Sequence, residues 1–396
     1  MFDPWAPSRM NNRVAVAAIL GSTQTLAWAS SYYLPAVLAA PLARDISLTP
    51  PWVYGGLSLG LGVSALLGPV LGRVIDRHGG RFVLGGSNIA FAIGLSLLSL
   101  SKGPVSLLGA WSILGVAMAA GLYEPAFAAI TRLYGYGSRA PITGVTLIAG
   151  FASTVGWPIS AALEHRIGWR GACLAWAALH VAIGLPLNAW VLRKEHRASE
   201  DKIESRGEPP RIGADRRMVV LMFMFTVSGI VSIGMATNLP GLFIAMGATP
   251  AAAIVAASFM GPAQVGARIL EYSARKIVNP LSSAKLACLL HPVGALVIAA
   301  VGPSVGSAFA IIHGAGNGML TITRGTLPLA MFGPDGYGAR IGRISAPARI
   351  GQAAGPFLLG VAIAHFGIRA LLISSGLSLL AFISLYHLAL PANPHP

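Results

Sequence analysis

Of the thirteen acidic residues in this 396-residue chain, Glu124 alone lies well inside an apolar run, in the segment Gly121-Leu-Tyr-Glu124-Pro-Ala-Phe127. An ionisable group at lipid depth is expensive and marks a functional site by default. A carboxyl there suits a proton carrier. At an offset of 200 stands Arg324, and His313, Asn317, Thr321 and Arg324 follow one another at spacings of four, four and three. That spacing puts all four on one helix face. A guanidinium in such a stripe can pair with Glu124 from the opposite side or hold an anionic solute through two parallel hydrogen bonds. His313 is a candidate proton relay near neutral pH. Gln24, Trp28 and Tyr32 share a face of an early apolar run; with Tyr123, Ser228, Ser232 and Asn238 they predict the walls of a cavity for a small polar-amphipathic solute. Arg349 reads as too near a span end to reach such a solute.

The elements that must position these groups follow from composition. The chain is 55% hydrophobic and 10% charged, with mean hydropathy +0.69. A soluble domain carries about 25% charged residues, so lipid is the expected solvent. At about 20 residues per crossing, the apolar runs predict twelve helices over 14–40, 51–73, 82–101, 104–132, 141–163, 170–192, 218–245, 250–272, 284–301, 304–331, 347–365 and 369–390. Continuous rather than alternating apolarity argues against a β-barrel. The first run is too long and too polar at its centre for a signal-peptide core and reads as a retained span.

A net charge of +15 invites a nucleic-acid reading, but the placement of the charge argues against it. Of 28 Lys and Arg, all but Arg44, Lys102, Arg166, Arg170 and Arg369 fall on one side of the predicted membrane. Basic loops stay in the cytoplasm, so both termini are expected inside, and anionic lipid headgroups are the expected contact. Cys173 and Cys288 lie in separate apolar runs and suggest neither a disulfide framework nor a metal site.

The chain repeats itself. Gly72-Arg-Val-Ile-Asp76 recurs as Ala267-Arg-Ile-Leu-Glu271, Gly135-Tyr-Gly-Ser-Arg139 as Gly336-Tyr-Gly-Ala-Arg340, and Gly168-Trp-Arg170 as Gly367-Ile-Arg369, at offsets of 195, 201 and 199. Parallel repeats of this kind occur in secondary transporters. The division expected is an N-terminal six-helix bundle over 1–192, a cytoplasmic linker over 193–217 and a C-terminal six-helix bundle over 218–396.

Between the second and third runs lies Gly72-Arg73-Val-Ile-Asp76-Arg77-His-Gly79-Gly-Arg81. Its pattern resembles the loop between helices 2 and 3 of the major facilitator superfamily of secondary transporters. Gly168-Trp-Arg170 and the short basic loops are similar to that family as well. The resemblance implies an all-α membrane fold of two pseudo-symmetric six-helix bundles, with spans 1, 4, 7 and 10 lining a central cavity. It also implies a gate in which Asp76 and the neighbouring arginines, Arg73, Arg77 and Arg81, hold the cytoplasmic ends of the halves together. On physical grounds an acid at that end can pair with a base or a helix N-terminus across the interface.

No P-loop, paired catalytic carboxylates, zinc-spaced cluster or nucleophile elbow is present in the sequence, so neither an enzyme nor ATP-driven transport is expected, and no cofactor or metal. The expected activity is alternating-access transport of a small organic solute across the cytoplasmic (inner) membrane. Arg324 suggests an anion such as a carboxylate, and Glu124 suggests coupling to protons. The rival is proton-coupled efflux of drug-like or toxic compounds. A monomer without nucleic-acid partners is expected.

Overall fold

The structure, a computed structural model, describes residues 9–191 and 215–390. All but the last three residues of the expected 193–217 linker lie outside the described residues. Every regular element among those described is helical. Among the described residues nine stretches are long and apolar enough to cross a bilayer, and two of them are too long to cross once. Pro104–Val191 has 88 residues, and at 1.5 Å per residue a straight helix of that length would span about four hydrocarbon cores. It folds back at Gly135 and Gly168, whose φ angles of 55° and 71° suit a residue without Cβ. Tyr337–His387 turns in the same way at Gly367, φ 53°. Divided at these glycines, the described apolar stretches give twelve helical segments, called spans 1 to 12 below.

Span 1 is Arg9–Ser30 continued by Pro35–Asp45, span 2 Pro50–His78, and span 3 Arg81–Ser99. Span 4 is Pro104–Gly121 continued by Tyr123–Tyr134. Span 5 runs from Arg139–Ala149 into the first part of Ala152–Leu179, up to Gly168. Span 6 takes the rest of that helix, a π-helical turn at His180–Gly184, and Leu185–Val191. Span 7 is Arg216–Ala245, span 8 Pro250–Ser258 with Met260–Ala274, span 9 Pro280–Val301, span 10 Gly306–Phe332, span 11 Tyr337–Phe366 and span 12 Ala370–Ser384. Proline opens spans 2, 4, 8 and 9, where its missing N–H costs nothing. Asp215, Thr249 and Asn279 cap spans 7, 8 and 9 by accepting from backbone N–H groups two or three residues on.

The repeats read from sequence fall at matching turns: Gly135 and Gly336 precede spans 5 and 11, and Gly168 and Gly367 precede spans 6 and 12, all at positive φ. A further pair escaped the sequence reading. Ser47 and Gly247, 200 residues apart, both have positive φ, and each is followed two residues later by Thr-Pro.

The outer surface is apolar. Ile277 is 90% exposed, Val105 84%, Leu66 77% and Phe357 73%. Each would cost on the order of 1.5–3 kcal/mol in water, which fits a lipid-facing surface. Inside, small residues bring helices close. Spans 2 and 11 meet through Gly68, Gly72, Gly338 and Gly342, two G-x-x-x-G pairs face to face. A Cβ on Gly72 would fall on the Gly338 carbonyl. This seam lies toward the end of the bundle that carries the basic 72–81 loop, called the basic end below.

Candidate functional site

Span 4 is broken where its acid sits. Leu122 is extended (φ −87°, ψ −161°), and the helix restarts at Tyr123, with Glu124 in its first turn. There the free N–H groups and the dipole favour a carboxylate. The Gln24 amide donates to the Gly121 carbonyl at 2.6 Å, taking up one acceptor freed at the break. Glu124 does not meet Arg324 directly. Its Oε2 accepts from Nη2 of Arg349 at 2.5 Å, and both side chains are under 10% exposed. Arg349 comes from span 11, so the ion pair joins elements on either side of the 193–217 stretch. The sequence reading set Arg349 aside because it began span 11 at 347. The helix begins at Tyr337, which places Arg349 twelve residues, about 18 Å, along it. What starts it early is Asp76: its Oδ1 and Oδ2 accept from the backbone N–H groups of Gly338 and Ala339, each at 2.8 Å. A carboxylate thus closes the N-terminus of span 11.

Arg324 lies on the other side of Glu124, at a central cavity of about 90 Å³. The Gln352 amide, with its oxygen turned to the guanidinium, accepts from both terminal nitrogens at 3.1 and 3.2 Å. Nε of Arg324 is buried without a partner. The walls include Trp28, Tyr32, Tyr123, Asn317 and Thr321, together with Tyr33, Ser228, Ser232 and Gln264. Trp28 packs its ring against Tyr32 and Tyr123 at centroid distances of 5.1 and 4.9 Å. Ser232 donates to the Asn317 side-chain oxygen, tying span 7 to span 10.

A second cation reaches this cavity. Arg268 of span 8, which the sequence places among the charges of the cytoplasmic side, is 5% exposed and lines the cavity. It donates to the Thr146 carbonyl and to Thr321 Oγ1, each at 3.2 Å, and its Nε has no partner. No Asp or Glu lines the cavity among the described residues. Arg268 is the repeat counterpart of Arg73, which is exposed. The two sit at similar depths from their helix ends on opposite azimuths, and a helix apolar nearly all round carries no sequence signal for azimuth. Glu271, the counterpart of Asp76, is also buried, near Ser283 and in the field of Arg139, yet neither of its oxygens finds a hydrogen-bond donor.

Other expected site residues lie elsewhere. Asn238 donates to the Gly234 and Pro356 carbonyls, bracing span 7 against span 11 near a proline, and does not line the cavity. Gln24 is likewise held at the break in span 4. His313 lines a separate small chamber beside the cavity. The expected 72–81 loop is mostly helix: residues 72–78 are the last turns of span 2, which Gly79 (φ 86°) ends, and span 3 starts at Arg81; Arg77 is exposed and Arg81 partly so, and Arg132 donates to the carbonyls of Asp76 and Arg77. From cavity to basic end the order is therefore Arg324, the Glu124–Arg349 pair, the glycine seam and Asp76. The Glu124–Arg349 pair borders a gap of about 10 Å³ with the seam glycines.

Comparison with known proteins places this geometry. The profile of the Major Facilitator Superfamily matches residues 20–312. No curated protein sequence matches the chain. Among solved structures, the human organic anion transporter MFSD10 (TETRAN) superposes with a TM-score of 0.70 at 16% identity, over 96% of this chain and 100% of that one. FucP in the outward conformation gives 0.71 at 13%, over 95% and 99%. The proton:xylose symporter XylE, bound to 6-bromo-6-deoxy-D-glucose, gives 0.66 at 13%, over 95% and 94%. At these identities the likeness is one of fold.

Proposed function

We propose that this chain, which belongs to the Major Facilitator Superfamily and is accordingly a transporter, carries a small organic anion across the cytoplasmic membrane by alternating access, coupled to protons. One observation carries the reading: two buried guanidinium groups, Arg268 and Arg324, line a cavity with no carboxylate among its described walls. Each keeps an unspent Nε–H, and a buried unpaired donor is costly until a ligand answers it. A carboxylate accepts two such donors at once. Two fold neighbours, an organic anion transporter and a proton symporter, accord with this reading. A cationic drug in the same cavity would meet two like charges, which disfavours the efflux alternative.

In this reading the basic end is cytoplasmic, both termini lie there, and a monomer suffices. Asp76 on span 11, the glycine seam and the Glu124–Arg349 pair close that end, and the halves rock about the cavity. A proton on Glu124 would cancel the charge that holds Arg349 and so loosen the seal.

The test is thermal unfolding of the purified protein in detergent with a panel of mono- and dicarboxylates, neutral sugars and hydrophobic amines. A ligand that binds the folded state raises the melting temperature by mass action. Carboxylates should raise it, and Arg324→Gln should flatten the response. Stabilisation by amines or sugars with none by carboxylates would overturn the anion assignment.

A further inference from the structure

Spans 9, 10 and 12 enclose two imidazoles that the transport scheme leaves unused. Nδ1 of His291 and Nδ1 of His313 lie 2.9 Å apart, and His291 Nε2 lies 2.9 Å from Ser374 Oγ. Both histidines are under 5% exposed. The hydrogens are an assignment. We give the Ser374 hydroxyl hydrogen to the Leu371 carbonyl, so that toward His291 it accepts and His291 carries its proton on Nε2. His291 Nδ1 is then the acceptor in the pair and His313 Nδ1–H the donor. His313 Nε2 is left as a bare lone pair, buried and without a hydrogen-bond partner.

His180 in span 6 shows the contrasting case. Asn88 Oδ1 and Ser30 Oγ engage its two ring nitrogens at 3.0 and 2.7 Å. It is a satisfied core histidine; His313 is not.

The ring of His313 borders a chamber of about 20 Å³, room for about one water. Ser228, Ser232, Asn317 and Leu320 form walls of both this chamber and the anion cavity. The other groups facing the pair are Cys288 from span 9 and Ser378 from span 12, and no Asp, Glu, Lys or Arg lines the chamber among the described residues.

We infer that His313 is a proton-loading site, oriented by His291, whose Nε2 takes a proton from the chamber next to the anion cavity. Loading forms one N–H bond on the lone pair and breaks one O–H bond of the hydronium that delivers the proton, which is left as water. The resulting imidazolium has no fixed counter-ion, and a buried unpaired charge is costly. An anion in the adjoining cavity supplies the missing negative charge, so proton and anion each favour the other's binding, and by the same factor. The proton site stands on the imidazole geometry alone; its link to the anion rests on the function proposed above.

The probe is the proton itself. Protein labelled with ¹⁵N-histidine, in lipid nanodiscs without added anion, is titrated between about pH 3 and 9, far enough into acid to load a buried imidazole that lacks a counter-ion. His313→Gln and His313→Asn identify its signals, the second guarding against loss of fold in the first. The wild type should show nitrogen–nitrogen coupling across the His291–His313 hydrogen bond, with His313 passing to imidazolium on acidification. A His313 that stays neutral throughout, or a pair without that coupling, overturns the site. Adding succinate to weakly buffered protein should then draw protons from solution, read with an indicator dye, and His313→Gln should reduce that uptake to the share that Glu124 takes. Succinate binding with equal proton uptake in wild type and variant overturns the link.

Discussion

Two arginines, 268 and 73, occupy the same place in a repeated five-residue pattern and meet opposite fates. Arg73 faces out, while Arg268 points into the cavity with part of its hydrogen-bonding capacity unspent. Replacing Arg268 or Arg324 with Gln should raise the KM for a carboxylate about tenfold to a hundredfold, the weight of one charge-assisted hydrogen bond. Lysine at 324 should rescue poorly, because a point charge cannot reproduce the planar fork that Gln352 engages. An Arg324→Lys variant with wild-type KM would contradict this. The Glu124–Arg349 pair has a different signature. Either single substitution to Gln leaves a buried charge unanswered and should destabilise the protein by about 3–5 kcal/mol. Replacing both should recover much of that loss, so a double-mutant cycle by thermal unfolding that shows simple additivity would exclude the pair as a structural latch. Glu124 was legible in sequence because a lone acid in an apolar run is conspicuous. Its partner was not, because Arg349 follows Arg340 and Arg343 so closely that the stretch reads as a basic loop.

At the scale of elements, that loop is the first third of a helix. Asp76 supplies the cap from another span, and Arg340 donates to the carbonyls of Phe332 and Asp335 just before the helix starts. A cap from a residue more than 250 positions away leaves no local signal, and this is why the start of span 11 was misplaced while the other apolar cores were legible. The break in span 4 did leave one, Gly121 and Pro125 around the acid, but helix-breaking residues are common in membrane helices and do not identify a break on their own. The facing G-x-x-x-G pairs were also visible as spacing, though not which helices they join. Valine at Gly72 should hold the seam open, since even a Cβ there overlaps the Gly338 carbonyl. A cysteine introduced at Ala346, beside the Glu124–Arg349 pair, should then react with a membrane-impermeant thiol reagent added from the basic side. The same cysteine should be protected in the presence of Gly72, and equal reactivity in both would refute the seal. At the start of span 7, hydrogen bonds from Arg217 hold the Asp215 carboxyl below its ordinary range. The cap should therefore contribute its stability above that range and lose it as pH falls through the lowered value. Asp215→Ala should cost about 1 kcal/mol near neutrality, and Asp215→Asn less, with the differences from wild type vanishing in acid.

For the molecule as a whole, charge and apolarity are divided by position. Large apolar side chains face outward, basic residues crowd one end, and the few buried ions gather between the halves. Composition and the spacing of apolar runs made the all-helical membrane class legible. The inward azimuth of Arg268 and the meeting of two imidazoles from spans 9 and 10 were not, since both depend on how whole helices are rotated against one another. The central claim is that this arrangement converts a proton gradient into anion movement through Glu124. Its most direct measurement is uptake of radiolabelled carboxylate into proteoliposomes under an imposed pH gradient, with equilibrium exchange measured in parallel, for wild type and Glu124→Gln. The account predicts gradient-driven accumulation by the wild type, with accumulation lost and exchange retained in the variant; accumulation that survives Glu124→Gln would contradict it.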